Sequence, residues 1–384
     1  EDPAQKGLLY AGTEMGVYVS FDDGADWQTL QQNLPVTSVR DIDVHDADLV
    51  IATHGRGFWI MDDVTSLRQL TTDMAQASAG LFAPAPAYRV LPSGFTGTPL
   101  PADEPHAENP PLGADIDYYL AKPAYTPVTL DIFDFMGNPV RHFSSDTPER
   151  KIDLSKINST AEWVENPTPL SAAVGAHRFV WDLRYALPQA LQRDDEPAAG
   201  LWVVPGKYKL RLSVNGKSYD QTLTVLKDPR VKISSFSFGS QLKFAQQIES
   251  VRIQVAEASH SIASLITQLQ SVKGKVNATL ADKITTLVLK LDSIAGSVPV
   301  DPDNSVGVPP DNMQNLNYFT GALADIANAV ESADAAPTRD ARTGFKLQSK
   351  ALEPVMQKWR QLQLVDLPQM NTALQKAGQP ALKF

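Results

Sequence analysis

The chain has 384 residues, 43% of them hydrophobic and 20% charged, which is globular material for two or three domains and not a disordered tail. With 34 basic against 44 acidic residues the net charge is −10, and no basic cluster stands out, so nucleic acid is not an expected partner. Cysteine is absent, which excludes disulfides, thiolate metal sites and cysteine nucleophiles, and no window is apolar enough for a transmembrane segment.

Residues 1–71 are rich in β-branched and aromatic residues cut by glycine and aspartate. Leu8 to Gly12, Val17 to Asp22, Val39 to His45, Leu49 to Thr53 and Phe58 to Asp62 read as short strands. The segment "LLYAGTEMGVYVSFDDG" is echoed by "LVIATHGRGFWIMDDVT": strand, glycine-containing loop, strand, acidic pair. Repeats of this size predict about two blades of a β-propeller, a fold that closes with roughly four to eight. The chain begins at Glu1 and enters a strand within a few residues, so it reads as a fragment or processed chain whose beginning lies upstream.

Residues 72–116 read as a Pro-rich linker, from "LFAPAPAYRV" and "PADEPHAENPPLGAD". Over 117–230 the strand signal returns, and about seven strands suggest an antiparallel sandwich. Trp181 is expected between its sheets, and Asn215-Gly216 marks a two-residue hairpin because both positions tolerate positive φ. After "KDPRV" the apolar period becomes helical, and 231–384 are expected to form an antiparallel helical bundle. In it, Pro354 is expected to kink one helix, and Asp366 to cap the last. The expected fold class is therefore multidomain, mainly β and then α.

Ser20, Asp22, Gly24 and Trp27 stand in the order S-x-D-x-G-x-x-W. Short Ser and Asp side chains can bond back to loop amides, glycine permits positive φ, and tryptophan can pack under the hairpin. These residues are expected to hold a turn, and Asp22 is not expected to catalyse. Ligand contacts are expected instead from Thr13-Glu14-Met15-Gly16 and Thr53-His54-Gly55-Arg56-Gly57. Glu14, His54 and Arg56 are the candidate binding residues, the alternative being that His54 and Arg56 cement neighbouring blades or the first blade to the last.

The Ser20–Trp27 pattern resembles the Asp-box of bacterial neuraminidase-type repeats. Together with "THGRGFWIMDD", "NPPLGADIDYYL", "GAHRFVWDLRY", "PGKYKLRL" and "KDPRV", the chain resembles the C-terminal end of large bacterial sortilin-like, Asp-box-repeat proteins, often labelled glycosyl hydrolases. Through "LDIFDFMGNPVRHF" and "HRFVWDL", residues 117–230 are similar to the Ig-like domain of flagellar hook-capping proteins. The resemblance implies an exported protein, secreted, periplasmic or on the cell surface, in which further propeller blades would complete the fold. It implies that this piece supplies recognition of a glycan or peptide, or architecture. Alternatively it is part of a glycoside hydrolase whose funnel is completed by the missing blades, or a structural assembly module.

No catalytic pair is marked by the sequence. Hydrolysis of a glycoside needs two carboxyls about 5 to 10 Å apart, and Asp41, Asp43, Asp46, Asp48, Asp62 and Asp63 offer candidates that solvation explains as well. No metal site and no cofactor are expected. The loop "DPDNSVG" at 301–307 is similar to a calcium loop, but its glycine falls one position late and Asn312 stands where a bidentate Glu is needed. Tyr118, Tyr119, Trp202 and Tyr208 could stack on sugar rings, with core packing as the alternative for alternating strand positions.

Overall fold

The computed structural model describes residues 1–92, 110–147, 169–192, 199–296 and 314–384. The calcium-like loop with Asn312, and residues 93–109 of the Pro-rich stretch, lie outside the described residues. The protein is mixed β and helical, with several sheets and a C-terminal helical region. It divides into two compact units, residues 1–186 with 205–230 and residues 187–204 with 231–384.

The first unit opens with two antiparallel three-stranded sheets. One joins β1 (Leu9–Thr13), β2 (Gly16–Ser20) and β3 (Gln28–Thr29); the other joins β4 (Val39–His45), β5 (Asp48–Thr53) and β6 (Phe58–Met61). They share one core, with Val17, Val19 and Leu30 from one side meeting Val39, Leu49 and Ile51 from the other. Gly12 allows this approach, since a Cβ there would stand 2.6 Å from Val39 Cγ1. A buried ion pair ties the two ends of the region together. Arg68 Nε donates to both Asp2 oxygens at 3.0 Å, its Nη2 donates to Asp46 O, and the Tyr10 hydroxyl donates to Asp2 Oδ2.

The repeat seen in the sequence recurs in the turns. Thr13 Oγ1 donates to Gly16 O at 3.0 Å, and Thr53 Oγ1 donates to Gly57 O at 2.7 Å. By this match β1–β2 corresponds to β5–β6. The first sheet then continues through β3 on one side, and the second through β4 on the other. At the opposite end of β2, Ser20 organises the next turn: its hydroxyl donates to Asp22 Oδ1 at 2.8 Å and accepts the Gly24 amide at 2.9 Å. Asp22 Oδ1 also accepts the Asp26 amide at 2.9 Å, and that bond holds the exposed Asp22 carboxyl below its ordinary pKa. Trp27 departs from expectation. It is 44% exposed and covers the turn from outside, its Nε1 donating to Gly24 O.

The segment read as a linker contributes structure. Helix α1 (Thr72–Gln76) is capped by Thr71, and β7 (Ala79–Leu81) and β8 (Ala87–Arg89) follow. Three-residue strands carry too little pattern to read locally; pairing with distant strands creates them. The remaining strands of the unit are β9 (Ala114–Leu120), β10 (Thr129–Phe133), β11 (Pro139–Ser144), β12 (Gly175–Trp181), β13 (Gly206–Val214) and β14 (Lys217–Lys227), of which β9 pairs with β7 and β14 with β8. They form a sheet of order β12-β9-β7 and another of order β11-β10-β13-β14-β8, in which β8 lies parallel to β14. The sheets face each other through two edge-on ring pairs, Trp181 with Tyr208 and Phe143 with Phe179. Asn215 and Gly216 have φ of 50° and 80°, and the hairpin closes with Val214 opposite Lys217.

In the second unit, α2 (Ser235–Lys273) packs against α3 (Ala278–Ala295), α4 (Leu316–Glu331) and α5 (Arg339–Gln361). Ser234, Asn277, Asn315 and Thr338 each accept an amide of the first turn they precede, which is why these four helices start where they do. Ile262, Leu265, Leu291, Phe319, Leu323 and Trp359 are among the core residues. Pro354 lies inside α5, which runs on to Gln361 without ending there. Asp366 is not a cap. It is helical, in a π turn over Leu362–Asp366 that carries the chain directly into α6 (Leu367–Lys376), and its carboxylate takes the Lys290 ammonium at 2.6 Å. The helix stops at Gly378, with φ of 69°.

Two substitutions probe this frame. Arg68→Met leaves the Asp2 carboxylate buried without its cation and is expected to destabilise the protein by about 3–5 kcal/mol; adding Asp2→Asn recovers part of the loss. Ser20→Ala removes both turn bonds at a fully buried hydroxyl and is expected to cost about 1–2 kcal/mol. Urea unfolding of each variant measures both.

Candidate functional site

The loops expected to bind ligand lie together at one end of the two small sheets. Glu14 follows β1 and reaches across to Arg40 at the start of β4, with Oε1 3.3 Å from Nη1. The His54 amide donates to Ser38 O at 2.8 Å, so the loop after β5 also abuts the start of β4. Arg56 is held by its backbone, its carbonyl accepting Trp59 Nε1 at 3.0 Å. All three side chains are exposed, and among the described residues no hydrogen bond or ion pair joins one to another. Because β2 runs from this end to the Ser20 turn, the Asp-box stands at the opposite end, away from Glu14, His54 and Arg56.

A concave site lies elsewhere, in a cleft of about 480 Å³ between the β4–β6 sheet with the segment after it and the β9–β12 pair. Trp59, Met61 and Asp62 line one wall, and Asp117, Tyr119 and His177 line the other. Glu14, His54 and Arg56 do not line it. Arg178 builds the floor. Its Nε and Nη2 donate to the two oxygens of Asp117 at 2.8 and 2.9 Å, and its Nη1 stands 3.2 Å from Asp115 Oδ2. The same guanidinium donates to the carbonyls of Asp62 and Asp63, both at 2.8 Å. One cation therefore fastens β9 and β12 to the chain leaving β6, and a bidentate fork is the side-chain geometry that can do it.

The electrostatics separate the carboxyls by role. Asp117 is engaged at both oxygens. Asp115 is pushed above the ordinary carboxylate range by burial, against the pull of Arg178. Asp62 is raised by burial and then by the neighbouring Asp48, and among the described residues its carboxylate bonds to no other residue. Tyr118 is a core residue, its hydroxyl bonded both ways to the Ser171 backbone and its pKa pushed up to about 12 by burial. His177 packs on the Tyr118 ring at 5.1 Å and donates from Nε2 to Ala173 O. Trp202 and Tyr208 are buried as well, so of the four aromatics considered for stacking on sugar, Tyr119 is the one that lines the cleft without being buried.

Sequence reasoning missed Arg178 and the cleft. The alternation in "ADIDYYL" puts Asp115, Asp117 and Tyr119 on one strand face, which is a visible signal. Its meaning depended on the partner strand that brings Arg178 opposite Asp117.

Two outcomes are expected. Arg178→Met orphans two carboxylates at a partly exposed node and is expected to cost about 2–3 kcal/mol in urea unfolding. Asp115 binds its proton more tightly folded than unfolded, so its share of stability is full at low pH. That share declines as pH rises through the interval just above the ordinary carboxylate range. Asp115→Asn is expected to flatten this decline, read from unfolding midpoints across that interval. Comparisons with family models, with curated proteins and with solved structures found no match.

Proposed function

We propose that the first unit is a non-catalytic recognition module that binds a glycan. We place it in the C-terminal region of an exported bacterial protein of the sortilin-like, Asp-box kind, with propeller-type blades at 1–71 followed by an Ig-like sandwich. The cleft is the observation that carries the binding reading. It combines exposed ring surface on Trp59 and Tyr119 with the unengaged Asp62 carboxylate, the pairing that stacks on a sugar face and accepts its hydroxyls. Its volume lies within the ordinary range for small-ligand sites.

The blade reading draws support from the duplicated Thr–Gly turns and the hydrogen-bonded Asp-box. It also draws support from β6, an edge strand whose Phe58 and Ile60 are 79% and 58% exposed, as a strand made to be covered by a neighbouring blade would be. Hydrolysis is not assigned to the cleft. Arg178 occupies both oxygens of Asp117 and pairs with Asp115, and the Asp48 carboxylate accepts the Asp63 amide, so no carboxyl near Asp62 is marked as its acid or base partner for glycoside cleavage.

Glycan-array binding by the full chain, followed by titration calorimetry on the retained sugars, tests the reading. Trp59→Ala and Tyr119→Ala are each expected to weaken binding tenfold or more, a loss of about 1.4 kcal/mol. Glu14→Gln and Arg56→Ala leave it unchanged. Retention of no glycan, or equal affinity in the ring variants, overturns the proposal. Loss in the Glu14 and Arg56 variants alone moves the site to the rim loops.

A further inference from the structure

Helix α5 carries a line of cations. Arg339, Arg342, Lys346 and Lys350 are all exposed, and their spacing of three, four and four residues keeps them on one stripe of the helix. At a rise of 1.5 Å per residue the line is about 17 Å long. Asp340, the acidic residue of the first turn, lies about a quarter-turn round from Arg339. Ion pairs of this unit lie away from the stripe, Lys290 with Asp366 and Arg360 with Glu353 among them. Among the described residues no ion pair includes a member of the stripe.

The neighbouring helix extends the patch. Arg342 Nη2 donates to Ser240 Oγ at 3.1 Å, and its guanidinium lies 4.8 Å over the Phe244 ring, so the first turns of α5 sit beside the first turns of α2. Phe236, Ser240 and Lys243 share a ridge of α2 at helical spacing, and Lys243 is exposed. Two capped helix N-termini thus stand at the same end as the cations. Positive side chains oppose the helix dipole at an N-terminus, so this placement costs the helix stability. An external anion would reverse the sign of that effect.

Two apolar side chains stand among these charges. Leu347 on α5 is 59% exposed and Phe236 on α2 is 84% exposed. A linear polyanion has no use for either, whereas an anionic bilayer surface takes both: headgroups meet the cations and the apolar groups enter the interface. We propose that this face of the helical unit docks on an anionic phospholipid surface, through Arg339, Arg342, Lys346, Lys350 and Lys243, with Leu347 and Phe236 as shallow anchors. The proposal is independent of the glycan-binding cleft. The whole chain carries a net charge of −10, so the patch is a local excess of positive charge that would turn this face of the helical unit toward the surface.

Vesicle co-sedimentation of the full chain tests it, with phosphatidylcholine alone against phosphatidylcholine containing phosphatidylglycerol, at low and physiological ionic strength. Binding is expected to the anionic vesicles only, and to weaken with salt. Lys346→Gln with Lys350→Gln is expected to lower partitioning by roughly 30-fold, and Phe236→Ser with Leu347→Ser by several-fold with the salt dependence kept. Circular dichroism verifies that these surface variants remain folded. Absence of anionic-vesicle binding at low salt, or equal binding by the lysine variants, overturns the proposal. Binding to soluble dextran sulfate, unaffected by the Phe236 and Leu347 substitutions, also overturns it and identifies the face as a polyanion site.

Discussion

The first unit turns on the Arg178 guanidinium. It reaches two carboxylates on β9 and two backbone carbonyls of the chain that has just left β6. Apolar packing alone would let the small sheets slide over the larger pair, because it is indifferent to angle. Directed hydrogen bonds from a rigid planar group are not. The cleft exists where those two walls are held apart at fixed spacing, so its shape is a by-product of the same clamp. Asp62 sits on the clamped chain, and its backbone carbonyl is used while its side chain is left for solvent or ligand.

Local chemistry was readable wherever one residue type answers one geometric demand. Asn215-Gly216 supplied two positive-φ positions between alternating strands, and Ser20 with Asp22 supplied acceptors for the amides of a tight turn. The helices of the second unit were legible from apolar spacing, and the asparagine, serine and threonine caps agree with it. Pairing over long distances was not legible. The strands β7 and β8 owe their existence to β9 and β14, and nothing within "LFAPAPAYRV" says so. Asp366 before Leu-Pro had the look of a cap, yet the π turn keeps the helix hydrogen-bonded through it, and the carboxylate serves Lys290 on α3 instead.

The surfaces proposed to bind show a different blind spot. The loops with Glu14, His54 and Arg56 were found because glycine and polar residues interrupt strands, and the structure does bring them to one end. The cleft escaped notice because its polar groups are scattered over Asp62, Asp117 and Arg178, residues that meet only after folding. The cationic line on α5 was present in the spacing of Arg339, Arg342, Lys346 and Lys350. A total charge of −10 averages such a local excess away, so the patch becomes visible only when the helix faces are separated.

The paired turns at the rim of the small sheets have one more implication. Thr13 and Gly16 enclose two residues, Thr53 and Gly57 enclose three, and both close through the same hydroxyl-to-carbonyl contact. The molecule thus contains its own insertion experiment: one copy is a residue longer than the other, and the strands beneath it still pair. A rim that accommodates such a difference in length can carry different outward chemistry on the same paired strands.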